Sequence, residues 1–343
     1  MSERKRQIAV LGAGAWGTVL ANLAARNGAA VTLWARDAGH VAEMAATGVN
    51  ARRLPGVPLA LNVTPTDSLE QAARADIVFL AVPTQALRQV CEALPGAIAP
   101  SVPLVICAKG IERASGFFPS EVVGEILPDN PPAVLSGPSF AADVAKGLPT
   151  AVTLAAKSTE RAAALAKTLA APWFRLYHAR DIRGVEIGGA AKNVLAIASG
   201  IAAGRGLGAS AGAALIARGF AELSRFGQTY GADPATLAGL SGLGDLVLTC
   251  SSAQSRNFSF GFALGQGASL ADAGADGRLT EGVYSCAILV DLARQKSVDM
   301  PISAAVEAVL AERIEIGAAI EALLARPAKP EVSAENINAR LYE

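Results

Sequence analysis

Gln7-Ile8-Ala9-Val10-Leu11-Gly12-Ala13-Gly14-Ala15-Trp16-Gly17, followed by apolar residues at Val19, Leu20, Leu23 and Ala24, is the stretch that decides the fold. A short apolar run of strand type turns through G-x-G-x-x-G into a helical pattern. In that setting the three glycines do different things. Gly12 permits the tight turn, Gly14 lets backbone approach a pyrophosphate, and Gly17 lets helix and strand pack. The helix N-terminus adds donor N–H groups. The expectation is a dinucleotide-binding α/β unit; the plainer alternative is an ordinary glycine-rich strand-to-helix turn.

Working outward, residues 31–34 form a second expected strand, after which Ala35-Arg36-Asp37 occupies the place where such a site inspects the adenine ribose. Arg36 can pair with a 2′-phosphate, which favours NADPH over NADH, while Asp37 leaves room for both. Residues 49–65 are a proline-punctuated connection with an edge strand. Residues 76–83 and 104–108 are apolar strands, the second ending at Lys109, where ligands sit beyond strand carboxyl ends in an open parallel sheet. Residues 133–135 lead into Ser136-Gly137-Pro138-Ser139-Phe140-Ala141, a loop able to wrap a nicotinamide or a phosphate, or to be a plain turn. Further strands at 150–154 and 174–177, with a helix at 158–170 between them, complete a mostly parallel, doubly wound Rossmann-type sheet over residues 1–183.

From residue 184 the pattern is helical only: 184–201, 213–226, 234–240, 258–264, 280–294 and 303–310, with a polar tail after Pro327. An α/β half followed by an all-helical half, residues 184–343, implies two domains and a cleft. Three groups in the helical half exceed what apolar packing needs. Lys192 and Asn193 lie in a run of small and aliphatic residues that contains Gly188 and Gly189. A desolvated ammonium drops in pKa toward neutrality and can transfer protons; the alternative is a lysine snorkelling to water. The two glycines cost a helix about 1 kcal/mol each unless close backbone approach needs them. Asp245, inside an apolar run, needs a cation or a donor. Ser255-Arg256-Asn257 is a compact donor set for phosphate oxygens, or else a helix N-cap with a surface arginine.

The 343 residues carry 30 basic and 30 acidic side chains, so no basic field favours nucleic acid. The four cysteines are scattered without a C-x-x-C pair and fit a reducing cytoplasm. The apolar run at 8–11 is too short for a signal peptide, and no uninterrupted apolar segment is long enough for membrane insertion. With only His40 and His178 present, no histidine metal cluster is expected and proton transfer falls to lysine or a carboxylate.

Several stretches together resemble a known family. GAGAWGT, SGPSFAADVAKGLPTA, EIGGAAKNVLAIASGI, AGLSGLGDLVLTC, SRN and TEGV make the chain, over nearly its whole length, similar to bacterial NAD(P)-dependent sn-glycerol-3-phosphate dehydrogenases. The resemblance implies that Lys192 is the proton acceptor, that Lys109 touches cofactor and substrate, and that Gly137 and Ser139 lie near the substrate. It further implies substrate contacts at Asp245, Ser255, Arg256 and Asn257, with Arg256 also near the cofactor; Asn193, beside Lys192, is expected to bind substrate too and, with Asp245, to orient the reacting groups. Cofactor-side positions would be Ala15, Trp16, Arg36, Ala141, Leu279 and Glu281. The implied reaction is reversible NAD(P)H-dependent reduction of dihydroxyacetone phosphate for glycerophospholipid synthesis, with a homodimer as the default assembly. The family often has serine or asparagine at Ala15 and an asparagine at Ser210; the first departure removes a side-chain hydrogen bond to the cofactor, and the second alters the substrate-side loop. Two rivals stay open. A 3-hydroxyacid dehydrogenase would space its lysine and asparagine one helical turn apart, whereas Lys192 and Asn193 are adjacent; a cofactor-binding sensor without turnover would need Arg256 and Lys192 only as structure.

Overall fold

The computed structural model describes residues 5–94, 96–275 and 280–328. Eight strands, β1 (Gln7–Leu11), β2 (Ala30–Trp34), β3 (Val63–Thr66), β4 (Ile77–Leu80), β5 (Leu104–Ile106), β6 (Pro132–Ser136), β7 (Thr150–Ala156) and β8 (Phe174–Ala179), form one sheet. Its order is β3-β2-β1-β4-β5-β6-β7-β8. β1 lies between β2 and β4, so the winding reverses beside it and opens a crevice at the strands' carboxyl ends. β4 and β5 are buried at every residue, as parallel strands covered on both faces must be. The one reversal is between β6 and β7, which pair antiparallel. It sets the loop after β6 directly against β7: a Cβ on Gly137, at φ +147°, would sit 2.8 Å from the Val152 Cα.

After β8 the described chain is helical. The expected helix at residue 184 begins at Ile182, because the Asp181 carboxylate accepts the Gly184 N–H at 2.7 Å and caps the turn. This central helix, Ile182–Gly204, is buried from Gly184 to Ala202. By length and composition it could cross a membrane, but 89% of its most apolar window is inside the protein, so it is a core helix. Residues expected to be helical at 234–240 split into the helix Pro234–Leu237 and a π-helical turn, Leu240–Gly244, that runs straight into the helix Asp245–Cys250.

Glycines explain how polar side chains are carried into this core. A Cβ on Gly188 would collide with the Ser241 carbonyl and the Gly242 backbone, and one on Gly189 would press on Ser136 Oγ and the Lys109 side chain. Gly200 and Gly204 lie against Phe258, Phe262 and Gly265 of the helix Arg256–Gly265, while Gly261 and Gly265 lie against the carbonyls of Ile197 and Ile201. Glycine at every fourth residue on both partners brings the two backbones into contact, which offsets the helix-propensity cost. A second tie joins the two halves of the chain: Glu186 accepts from the Ser120 N–H at 2.6 Å and from Ser120 Oγ at 2.8 Å at the start of the helix Pro119–Ile126. Burial pushes its carboxyl up to about 7, against the pull of Arg183 and Ser120.

Candidate active site

Three charged side chains meet where the sheet's carboxyl edge faces the central helix. Lys109 extends from the end of β5, Lys192 from the middle of the central helix, and Asp245 from the first turn of Asp245–Cys250. Asp245 Oδ2 lies 2.6 Å from Lys192 Nζ and 2.8 Å from Lys109 Nζ. Lys109 Nζ also donates to the Gly137 carbonyl at 3.1 Å, and Ser139 Oγ donates to the same oxygen at 3.1 Å. Lys192 Nζ donates to Thr249 Oγ1 at 3.1 Å, and that hydroxyl donates to Asp245 Oδ1 at 3.3 Å.

Asp245 and Lys192 are almost fully buried, while Lys109 keeps about a fifth of its side-chain surface exposed, 21%. Burial pushes the Lys192 amine down to about 8; Asp245 pulls it back up and Lys109 pushes it further down. Burial alone would raise the Asp245 carboxyl, but the two ammonium groups outweigh it and hold the acid below its ordinary range. One carboxylate between two cations leaves the cluster one positive charge in excess, an arrangement suited to a developing oxyanion.

A second cluster adjoins it on the helix Arg256–Gly265. Asn257 Nδ2 donates to Asn193 Oδ1 at 3.1 Å, and Asn257 Oδ1 accepts the Gly282 N–H at 2.9 Å. Ser255 Oγ caps the helix by accepting the Phe258 N–H at 3.2 Å, leaving its own hydroxyl proton to donate. Glu281 opens the helix Glu281–Gln295; burial raises its carboxyl to about 7, opposed by the Thr84 N–H and the charge of Arg256. Glu281 Oε2, Thr84 Oγ1 and Ser285 Oγ are buried without a hydrogen-bond partner, and a Cβ on Gly110 would meet the last two at 2.9 and 3.0 Å. Buried polar atoms left this way call for a partner, an ordered water or a polar ligand group.

The glycine loop fits a dinucleotide. Gly12 has φ +117° and packs on Ala81, a Cβ on Gly17 would collide with the Gly12 carbonyl, and Gly14 borders open space. No side chain caps the helix Ala15–Arg26, so its first N–H groups are available to a pyrophosphate. Trp16 packs on Phe174 at 6.2 Å between ring centroids. Arg36 is exposed beyond β2, and Ala141 is half-buried at the start of the helix Ala141–Ala145. Asp37 is less free than its position suggested: it caps the helix Ala38–Thr47 through the His40 N–H and lies 3.3 Å from Arg52. Leu279 falls outside the described residues.

Lys109, Lys192, Asp245, Gly137 and Ser139 thus share one cluster, with Asn193 and Asn257 in the next. Thr249 escaped the sequence reading, although its position four residues after Asp245 on one helix is a usable signal. Thr84 and Ser285 carried no signal of their own.

A doubly wound dinucleotide crevice facing a buried lysine–aspartate–lysine cluster defines a nicotinamide-dependent oxidoreductase of two-domain build. Residues 7–162 match the family described as NAD-dependent glycerol-3-phosphate dehydrogenase N-terminus, and residues 181–321 its C-terminus. The chain is 65% identical over 331 residues to Glycerol-3-phosphate dehydrogenase [NAD(P)+] of Beijerinckia indica, covering 96% of this chain and 99% of that protein. It is 58% identical over 325 residues to the protein of that name from Azorhizobium caulinodans, with coverage of 95% and 98%. The crystal structure of glycerol-3-phosphate dehydrogenase from Coxiella burnetii superposes with a TM-score of 0.90 at 40% identity, covering 94% of this chain and 99% of that one. The chain belongs to the NAD-dependent glycerol-3-phosphate dehydrogenase family.

Proposed function

We propose that this protein reduces dihydroxyacetone phosphate to sn-glycerol 3-phosphate, reversibly, with NADPH or NADH, and that it does so as a cytoplasmic homodimer supplying glycerophospholipid synthesis. The observation that carries the reading is Asp245 held between Lys192 and Lys109 at 2.6 and 2.8 Å. The bound nicotinamide supplies the hydride to C2. Protonated Lys192 gives its proton to the developing alkoxide at the C2 oxygen, and neutral Lys192 takes the hydroxyl proton in reverse. Lys109 adds positive charge on the sheet side, and Asp245 keeps both ammonium groups aimed inward. Arg256, Asn257 and the hydroxyl of Ser255, at one helix N-terminus, bind the phosphate; Asn193, tied to Asn257, fixes the angle between the phosphate end and the reacting carbon.

The test is NADPH oxidation by the purified protein on addition of dihydroxyacetone phosphate. Turnover of a 3-hydroxyacid instead, or cofactor binding with no turnover of either, would sink the proposal. The adjacency of Lys192 and Asn193 argues against a 3-hydroxyacid dehydrogenase.

Cofactor preference is proposed to lean toward NADPH. Asp37, the acid that would take the ribose hydroxyls of NADH, is occupied by the His40 N–H and Arg52, while Arg36 is exposed beside it. Arg36→Glu removes a bidentate partner for the 2′-phosphate and adds repulsion, so it is expected to weaken NADPH about 10-fold or more and NADH little. Titrating both cofactors into both proteins checks this; an unchanged ratio of the two affinities refutes the role of Arg36.

A further inference from the structure

Behind the glycine loop lies a buried polar relay that the chemistry above does not use. His40 is 7% exposed, and Asn50 and Thr18 are fully buried. His40 Nε2 lies 2.8 Å from Asn50 Oδ1; Asn50 Nδ2 reaches the Ala13 carbonyl at 2.9 Å and Thr18 Oγ1 at 2.8 Å; Thr18 Oγ1 reaches the Gly14 carbonyl at 2.9 Å.

The direction of every bond follows from its ends. A backbone carbonyl only accepts, so the Asn50 atom on Ala13 must be the amide nitrogen and the Thr18 hydroxyl must donate to Gly14. That hydroxyl then accepts from the second Asn50 N–H, and the Asn50 oxygen is left to accept from His40, whose Nε2 therefore carries the proton. Both amide hydrogens are spent, and no other orientation of Asn50 satisfies the set.

A trans peptide points its C=O and N–H in opposite directions. Drawing the Ala13 carbonyl inward onto Asn50 therefore turns the Gly14 N–H outward. Holding the Gly14 carbonyl, which also accepts the Thr18 N–H at 3.0 Å, does the same for the Ala15 N–H. A Cβ built on Gly14 would meet nothing within 4 Å, so the loop beside these two donors is open to a ligand.

We propose that Asn50, oriented by His40, is a positioning residue that aims the glycine-loop N–H groups at the cofactor pyrophosphate. The loop is not self-supporting: its presentation depends on a side chain from the segment after the helix Ala38–Thr47, the same segment that carries Arg52 to Asp37. The pyrophosphate is common to both cofactors, so the relay sets affinity without setting preference.

The test compares Asn50→Leu, His40→Leu and His40→Gln with the unsubstituted protein. Kd is measured for NADPH, NADH and ADP, and kcat and the KM for dihydroxyacetone phosphate at saturating cofactor. Asn50→Leu leaves buried groups unpaired and is expected to raise all three Kd values by about 10- to 100-fold, with the NADPH to NADH ratio, kcat and substrate KM unchanged. His40→Leu should act in the same direction by a smaller factor, and His40→Gln, whose amide N–H can replace the imidazole donor, should restore binding. Unchanged Kd values in folded Asn50→Leu overturn the proposal and leave the relay a structural tie. So does His40→Gln binding no better than His40→Leu, the comparison that decides if Asn50→Leu fails to fold. Failure of the unsubstituted protein to bind NADPH would instead point at the cofactor reading itself.

Discussion

Lys192→Met is expected to remain folded, to bind NADPH, and to lose turnover by roughly 10²–10⁴-fold, the effect of removing a positioned general acid. Methionine keeps the length of an apolar stem in the wall of the central helix, and the cofactor loop lies on the other half of the chain. The pH profile carries the sharper information. With the Lys192 amine at about 8, carbonyl reduction, which needs the ammonium, should fall as pH rises through that value. Alcohol oxidation, which needs the free amine, should rise through it. Both limbs should vanish in Lys192→Met. Measuring kcat in both directions across pH, with NADPH affinity as the folding control, checks this. Near-normal turnover would return Lys192 to structure and leave Lys109 as the lysine to test. Lys192→Met also removes one of the two cations that hold Asp245 ionised, so part of the loss passes through the aspartate.

Arg256→Ala should cost roughly 10²–10⁴-fold in kcat/KM for dihydroxyacetone phosphate, since two charge-assisted bonds to phosphate are worth about 1.5–3 kcal/mol each. Phosphate binding remote from C2 orients the carbonyl, so the loss should appear in kcat as well as in KM. Slow turnover of unphosphorylated dihydroxyacetone should barely change. The two substrates separate the roles of the arginine: equal losses on both would show that Arg256 serves the fold or the cofactor, a real alternative given that its charge acts on Glu281.

Local chemistry was legible in the sequence wherever one segment carried its own reason. β1, the glycine turn and the following helix are read from adjacent residues, and the structure has them at Gln7–Leu11 and Ala15–Arg26. Lys192 and Asp245 were visible as polar groups in apolar runs, because burial of charge announces its cost. The partner does not announce itself. That Asp245 satisfies both Lys192 and Lys109 depends on how the helical half folds onto the sheet. Gly188 and Gly189 likewise signalled that something comes close without saying what; it is the π-helical turn for one and the Lys109 side chain for the other. The antiparallel pairing of β7 was hidden because an apolar run has no direction. Asp37 looked available because Arg52 sits in a connection with no periodicity, and the His40–Asn50–Thr18 relay was hidden because its members come from three segments of different pattern.

The backbone-to-backbone seating of the central helix on Arg256–Gly265 governs how this protein can move. Helices separated by side chains can shear by small changes of rotamer, but two whose peptide groups touch have no such compliance. Lys192, Asn193, Arg256 and Asn257 therefore travel as one rigid jaw. Lys109 and Gly137 ride on the sheet, so any widening of the cleft must swing one half against the other and draw Lys109 away from Asp245. The 2.8 Å ion pair between them would then act as a clasp, and opening would leave Asp245 with Lys192 as its one remaining ammonium partner.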